Sequence, residues 1–279
     1  MRKSYANCVA APLAALSLLF AAAASAAEVE VQWLGHSTIR ITSVEGKVIV
    51  IDPFLKTNPT VPPRYRDLKA LGKVDLILVT HGHFDHARDL PELAKLTGAP
   101  VVAIWELALN LVALGMLDAD KVILPSTGGT VTPLGRGIKI HMVPAEHGSS
   151  IDLEILGLKE PDTKAPKFIP GGIAVGFVVE LENGFTIYHA GDTGVFGDMA
   201  LIHEFHKPDL ALVPIGGYFT MDPQSAAYAL KNLLKPKQVI PIHYGTFPAI
   251  NRTPVELKKA LGDAPIEVLD LEPGQAVKF

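Results

Sequence analysis

Short apolar runs separated by turn residues organise most of the chain and predict a mixed α/β protein. Three strand-like runs lie close together near the N-terminus, at residues 29–33, 38–42 and 47–51. Residues 74–79 are apolar except for Asp75 and predict a buried strand. Residues 89–124 then alternate helix-like and strand-like patterns, which predicts a parallel sheet with helices on one face.

The second half of the chain continues the alternation of strands and helices. Residues 172–181 and 184–189 predict a hairpin across an Asn-Gly turn, and residues 209–214 and 238–242 predict two further strands. A last helix is predicted to begin at a capping box that opens on Thr253. Because no repeat and no linker divides the chain, we expect a single domain over residues 27–279.

The N-terminal segment has the layout of a secretory signal peptide. Arg2 and Lys3 precede a nearly unbroken apolar run at residues 9–24, and small residues suitable for cleavage follow it, ending at Ala26. We therefore expect residues 1–26 to be removed and the protein to be periplasmic or secreted, with no stable membrane insertion afterwards. The alternative is that the segment stays as an uncleaved anchor.

Composition excludes several classes of partner and ligand. The single cysteine, Cys8, lies in the signal segment, so the expected mature chain has no disulfide and no thiolate metal ligand. Removing Arg2 and Lys3 from the 25 basic residues leaves 23 against 29 acidic residues, a balance of −6. Neither nucleic acid nor an anionic membrane surface is indicated, and we expect a small-molecule substrate.

Four metal-ligand side chains follow the strand at residues 74–79 within a single turn. His81, His83, Asp85 and His86 are spaced so that the first two can converge on one ion and the last two on a second. Imidazole with carboxylate suits a borderline divalent cation, zinc before others. The alternative is a histidine-rich surface turn that binds no metal.

Ligand-type residues recur directly after the ends of other predicted strands. The pattern comprises His81, His83, His147, Asp192 and His243. Strand ends of a layered fold can gather at one edge, so these side chains are expected to meet there. His141 competes with His147 for the third histidine position, and we choose His147 because it lies on the loop that leaves the strand.

Longer motifs extend the pattern and resemble one known family. They are His-x-His-x-Asp-His at residues 81–86, Leu34-Gly35-His36-Ser37, Ile51-Asp52-Pro53-Phe54, His189-Ala190-Gly191-Asp192-Thr193-Gly194, Pro214-Ile215-Gly216-Gly217 and Pro241-Ile242-His243-Tyr244. This set resembles the metallo-β-lactamase superfamily, in the branch of uncharacterised metal-dependent hydrolases related to ascorbate-phosphate lactonases and N-acyl-phosphatidylethanolamine phospholipases. The resemblance implies an α/β (α+β) fold, the four-layer αβ/βα sandwich of the metallo-β-lactamase type, with a dinuclear site at one edge.

The resemblance also implies a ligand set and a reaction. His81, His83 and His147 would hold one metal ion, Asp85, His86 and His243 a second, and Asp192 would bridge them. The two ions would be Zn²⁺, or alternatively Mn²⁺ or Fe²⁺. A bridging hydroxide would cleave an ester, lactone or phosphodiester bond, and Asp85 would take up the released proton.

Three more polar residues are candidates near this site, each with two interpretations. His36 is either a surface-turn histidine or, as the resemblance favours, a residue at the mouth of the site. Asp52 is either a turn-initiating residue before proline or a carboxylate that orients a metal-bound histidine. His189 is expected to support the ligands, with direct ligation as the alternative. With Asp85, His36 and His189 form the candidate catalytic set.

Two other functions remain open from the sequence, namely an iron-dependent oxidoreductase of the same fold and a metal-binding protein without catalysis. An oligomer is compatible with the sequence. Residues 148–172 are rich in proline and glycine with little periodicity, and we expect them to cover the metal site. Residues 56–73 are expected to form a surface loop whose Arg64 and Arg66 are either solvated or able to meet an anionic substrate.

Overall fold

Two seven-stranded mixed sheets form the centre of the molecule. The structure is a computed structural model, and it describes Met1 and residues 28–153 and 168–279. The predicted signal peptide and the middle of the predicted cover therefore lie outside the described residues. In the described part of the chain, no helix is both long enough and apolar enough to span a bilayer.

The strands occur in this order: β1 Glu30–Gly35, β2 Thr38–Thr42, β3 Val48–Ile51, β4 Leu76–Leu78, β5 Val101–Val102, β6 Val122–Ile123, β7 Thr130–Val131, β8 Lys139–Pro144, β9 Ser150–Asp152, β10 Phe168–Pro170, β11 Val175–Glu180, β12 Thr186–His189, β13 Leu210–Pro214, β14 Gln238–Ile242, β15 Glu267–Val268 and β16 Ala276–Lys278. The α-helices are α1 Phe84–Ala87, α2 Leu90–Thr97, α3 Trp105–Ala113, α4 Met199–His206, α5 Pro223–Tyr228 and α6 Pro254–Leu261. A π-helical segment, Ala229–Leu234, continues α5, and 3₁₀ turns occur at Pro63–Arg66, Leu68–Leu71, Ala119–Lys121 and Pro248–Ile250.

Each sheet combines a parallel half with an antiparallel half. The first has the order β16-β1-β2-β3-β4-β5-β6, parallel from β3 to β6. The second has the order β15-β14-β13-β12-β11-β8-β7, parallel from β12 to β15. The strands β9 and β10 pair with each other in a separate antiparallel ribbon.

The hydrophobic core has two parts, separated by the second sheet. Along β11, Phe177 and Val179 belong to the core shared by both sheets, while Val178 belongs to the core against α4, α5 and α6. This is the two-residue period of a strand that is covered on both faces. Every residue of β3 and β4 is buried, and the buried leucines of α2 and α3 join the shared core. The layers therefore run helix, sheet, sheet, helix, as expected for an αβ/βα sandwich.

The predicted elements are present, with differences at their ends. The strand expected at residues 100–104 pairs only over Val101–Val102, and the 56–73 segment contains two 3₁₀ turns rather than only loop. The α1 helix was not expected, because its four residues are too few to show helical periodicity. This short helix carries Asp85 and His86, so it positions two of the candidate ligands.

Candidate metal centre

The candidate ligands leave the sheets at one edge, directly after the ends of buried strands. His81 follows β4, His147 follows β8, Asp192 follows β12 and His243 follows β14. His243 has a positive φ of 53°. This left-handed conformation costs a residue with a side chain about 1–2 kcal/mol, and it persists only where the surrounding structure enforces it. The turn that aims this imidazole is therefore stabilised from elsewhere in the fold.

One group of ligand atoms comprises His81, His83 and His147, all within 4.8 Å of one another. His81 Nε2 lies 3.0 Å from His83 Nδ1, and each of these rings has its centroid 5.1 Å from that of His147. Burial lowers the pKa of His81 well below its usual value and also lowers the pKa values of His83 and His147. The three imidazoles are therefore neutral near pH 7, which leaves their lone pairs available to a cation.

A second group comprises His36, Asp85, His86 and His243, again with ligand atoms within 4.8 Å. Asp85 Oδ2 lies 3.0 Å from His36 Nε2 and 3.7 Å from His243 Nε2. Burial acts to raise the pKa of Asp85, but the His243 and His36 imidazoles hold it well below its usual range. Asp85 is thus a carboxylate, and it lines an open cleft of about 660 Å³.

Asp192 lies between the two groups and contacts both. Its Oδ2 is 3.6 Å from His147 Nε2 and 2.9 Å from His243 Nε2, and its Oδ1 is 3.3 Å from His86 Nε2. Burial acts to raise the pKa of Asp192, but His243 and His86 hold it well below its usual range. A buried, charged carboxylate with two oxygens directed at different imidazole groups is suited to bridging two cations.

Several of these buried atoms have no hydrogen-bond partner among the described residues. They are His86 Nε2, Asp192 Oδ1 and His243 Nε2. His243 Nε2 lies close to Asp192 Oδ2, yet the angles of this contact are not those of a hydrogen bond. Buried polar atoms left unpaired are costly, and convergent unpaired nitrogens and oxygens are the donor set of a borderline divalent cation. The residues therefore fit a metal ion.

Asp52 orients two of the imidazoles from behind. Its Oδ2 accepts a hydrogen bond from His86 Nδ1 at 2.8 Å and one from the Thr80 hydroxyl at 2.7 Å. Since that hydroxyl donates to Asp52, it accepts from His81 Nδ1 at 3.0 Å. With Nδ1 of each ring engaged in this way, Nε2 is the nitrogen that faces the other candidate ligands. The second interpretation of Asp52, as a carboxylate that orients ligands, describes these contacts.

His36 is fully buried and does not lie at the mouth of the site, so the expected position was wrong. Its Nε2–H donates to Asp85 Oδ2, and its Nδ1 accepts from the Thr246 hydroxyl at 2.9 Å. Burial, with a further contribution from His243, lowers the pKa of His36 to about 4, so the ring is neutral and has a single N–H. Both ring nitrogens are engaged, and the side chain supports Asp85 from the protein side.

His189 is likewise fully buried and engaged at both nitrogens. Its Nε2–H donates to the Ser37 carbonyl at 3.0 Å, and its Nδ1 accepts from the Gly191 N–H at 3.1 Å. Gly191 has a φ of 62°, and a Cβ there would lie 2.9 Å from Thr80. His189 therefore fixes the turn that presents Asp192, and it does not belong to either group of ligand atoms.

His141 and His206 lie outside the groups of candidate ligands. His141 contacts Thr130 and Glu180 and has its ring 4.4 Å from that of His206, whereas His147 lies among the candidate ligands. Sequence reasoning missed Thr80 and Thr246, which hold His81 and His36. Thr80 could have been found from its position, because it is the last residue before the turn that carries His81. No feature of the sequence marks Thr246.

Comparison with known proteins agrees with this geometry. A family model described as a β-lactamase superfamily domain matches residues 47–244, a segment that begins before Asp52 and ends after His243. The chain belongs to the metallo-β-lactamase superfamily. Among superfamily members, a UPF0173 metal-dependent hydrolase of Polaromonas sp. (strain JS666) is 50% identical over 272 residues, which cover 98% of this chain and 96% of the relative.

Two other similar proteins extend the comparison. A metal-dependent hydrolase of Cupriavidus necator is 51% identical over 257 residues, covering 91% of this chain and 87% of the relative. The solved structure of Igni18, a metallo hydrolase from the hyperthermophilic archaeon Ignicoccus hospitalis, matches with 35% identity and a TM-score of 0.76. That match covers 90% of this chain and 98% of the other.

Proposed function

We propose that this metal-dependent hydrolase of the metallo-β-lactamase superfamily holds two divalent cations, Zn²⁺ before Mn²⁺ or Fe²⁺, and cleaves an ester, lactone or phosphodiester bond in a small molecule. The contacts of Asp192 carry the proposal, because its two oxygens reach imidazoles of both ligand groups. His81, His83 and His147 would hold one cation, and Asp85, His86 and His243 the other. A donor set of imidazole and carboxylate suits a borderline divalent cation such as zinc.

Two cations bound there would supply a hydroxide nucleophile from water and would polarise the oxygen of the bond to be cleaved. The protein contributes orientation and proton transfer. Asp85 lines the cleft and carries a negative charge, so it can accept the proton that the attacking water releases. His36 donates to one Asp85 oxygen, which leaves the other directed away from that hydrogen bond.

The cleft above the ligands has the dimensions of a small-molecule site. Its volume of about 660 Å³ lies within the roughly 300–1,000 Å³ of typical ligand pockets. Five candidate ligands and four phenylalanines are among the residues that line it. An apolar cleft with a few convergent polar groups is the usual form of an active site for a small substrate.

An activity screen with measured metal content tests the proposal. Purified protein is assayed on lactones, carboxylic esters, amides and phosphodiesters, first as isolated, then after chelation and after return of Zn²⁺, Mn²⁺ or Fe²⁺. We expect about two metal ions per chain, loss of hydrolysis on chelation and its recovery with metal. Full metal content without hydrolysis of any class would refute the catalytic part, and bound iron with redox activity would favour an oxidoreductase.

A further inference from the structure

Aromatic side chains line the cleft over the candidate metal centre. The segments that carry them also carry candidate ligands or are hydrogen-bonded to the segments that do. We infer that the substrate is an uncharged ester or lactone whose acyl part is apolar, a chain or ring that packs among Phe84, Phe168, Phe219 and Phe247. The inference rests on the proposed hydrolase function and narrows its substrate class. All four phenylalanines line the same cleft as Asp85 and Asp192.

Two of the four phenylalanines belong to an aromatic cluster. Phe84 and Phe247 have their ring centroids 6.1 Å apart, and both pack on the fully buried Phe54, at 5.8 and 6.5 Å. Phe84 lies between two candidate ligands in sequence, and Phe247 follows Thr246, which binds His36. This cluster is therefore directly connected along the chain to candidate metal ligands and to the residue that binds His36.

The other two phenylalanines of the cleft are exposed and lie on separate segments. Phe168 belongs to β10 and is 53% exposed, and Phe219 belongs to the loop after β13 and is 55% exposed. Both segments are hydrogen-bonded to residues of the site. Next to β9, which pairs with β10, the Ser149 hydroxyl accepts a hydrogen bond from the Gly82 N–H at 3.2 Å. In the second segment, the Met221 N–H donates to the Thr193 carbonyl at 3.0 Å. Large aromatic surface held open to water beside a reactive centre is favourably covered by an apolar ligand.

Lysine and arginine are absent from the described residues that line the cleft. Arg64 lies over the Tyr65 ring at 4.5 Å, Arg66 donates to the Pro59 carbonyl, and Arg252 pairs with Glu256. Recognition of phosphate or carboxylate groups typically uses arginine in a bidentate pair. The described walls thus offer contact area to an apolar group but no guanidinium to an anionic one.

The reaction on such a substrate is balanced by water alone. The oxygen of water bonds to the acyl carbon, and the bond from that carbon to the alkoxy oxygen breaks with its electron pair. One proton of the water reaches the alkoxide by way of Asp85, and the products are a carboxylic acid and an alcohol. The four phenylalanines of the cleft contribute to this reaction only by holding the acyl part of the substrate.

The inference is tested by measuring the hydrolysis of esters of increasing acyl chain length by the metal-loaded enzyme. The substrates are the p-nitrophenyl esters of acetic, butyric and octanoic acids, with bis(p-nitrophenyl) phosphate as the anionic comparison. Each methylene that leaves water favours binding by roughly fourfold, so butyrate, with two more methylenes, should exceed acetate by about 16-fold in kcat/KM. Phe168→Ser and Phe219→Ser should reduce the increase of kcat/KM with chain length, and the change should appear in KM. Phe205→Ser should keep it, since Phe205 is 71% exposed on α4 outside this cleft.

A binding measurement separates this inference from the proposed function. Calorimetry with 2-decanone, a neutral ketone that cannot be hydrolysed, should show binding with a negative heat-capacity change, weakened in the Phe168 and Phe219 variants but not in Phe205→Ser. Ketone binding without hydrolysis of any ester would retain the apolar site and overturn the hydrolase. Equal hydrolysis of all chain lengths without ketone binding, or preference for the phosphodiester, would overturn the inference and leave the hydrolase intact. Metal content of each variant checks that the fold is preserved.

Discussion

Asp52 Oδ2 accepts the Nδ1–H of His86 at 2.8 Å, and both side chains are fully buried, although 34 residues separate them in the chain. The same carboxylate accepts from the backbone N–H and the hydroxyl of Thr80. These donors lie behind two imidazoles that face the candidate metals. Asp52 therefore determines which nitrogen of His86 and, through Thr80, of His81 is free to bind a cation.

We predict that Asp52→Asn lowers metal affinity by about 10–100-fold, the usual effect of removing a partner that orients a metal-bound histidine. An amide cannot accept all three hydrogen bonds, so His86 loses its fixed orientation. Competition with a chromophoric chelator measures the affinity. Asp75→Asn is the matched control, because Asp75 accepts from the Val48 N–H at 2.8 Å on the same sheet and contacts no candidate ligand. Equal affinities for both variants and the parent protein would contradict the role of Asp52.

We predict that Asp192→Ala loses at least one of two metal ions and nearly all hydrolysis. The change removes the carboxylate that contacts both ligand groups and leaves two cations to repel each other. Metal content by mass spectrometry and rate on the best substrate are compared with those of Asp198→Ala, which alters a carboxylate at the start of α4. Full metal content and full rate in Asp192→Ala would make Asp192 only a turn residue.

We predict that His36→Ala reduces kcat by about 10–100-fold with KM and metal content largely retained. The change removes the donor that holds Asp85 Oδ2, at 3.0 Å, without removing a proposed metal ligand. His36→Gln should recover part of the rate, since an amide N–H can donate to Asp85. Thr246→Val should have a smaller effect, because only the bond to His36 Nδ1 is lost. Loss of metal in His36→Ala would instead make His36 a ligand.

We predict export with cleavage near Ala26. The charged start at Arg2 and Lys3 and the apolar run at residues 9–24 are the basis, and these residues lie outside the described part of the chain. Intact-mass measurement of protein from the periplasm or the medium should give a chain that begins at Ala27 or close to it. Protein that retains Met1 and fractionates with membranes would indicate an anchor.

The sequence by itself determined the order of elements and the ligand candidates. Both depend on local pattern: a buried strand shows as an apolar run, and the ligands follow strand ends, where a polar residue after apolar ones is visible. His147 could be chosen over His141 on that ground, and the structure places His147 within 4.8 Å of other candidate ligands. The capping box at Thr253 was equally local, and α6 begins there.

Only the tertiary structure decided which side chains support the ligands. The position of His36 was wrong from sequence because its partner Thr246 is 210 residues away, and nothing in either segment indicates the other. Asp52 and His189 had two interpretations each, and the contacts of Asp52 with His86 and of His189 with the Ser37 carbonyl distinguish them. A hydrogen bond of a buried side chain depends on which strands become neighbours. That arrangement is set by packing of the whole core, which no local stretch of sequence contains.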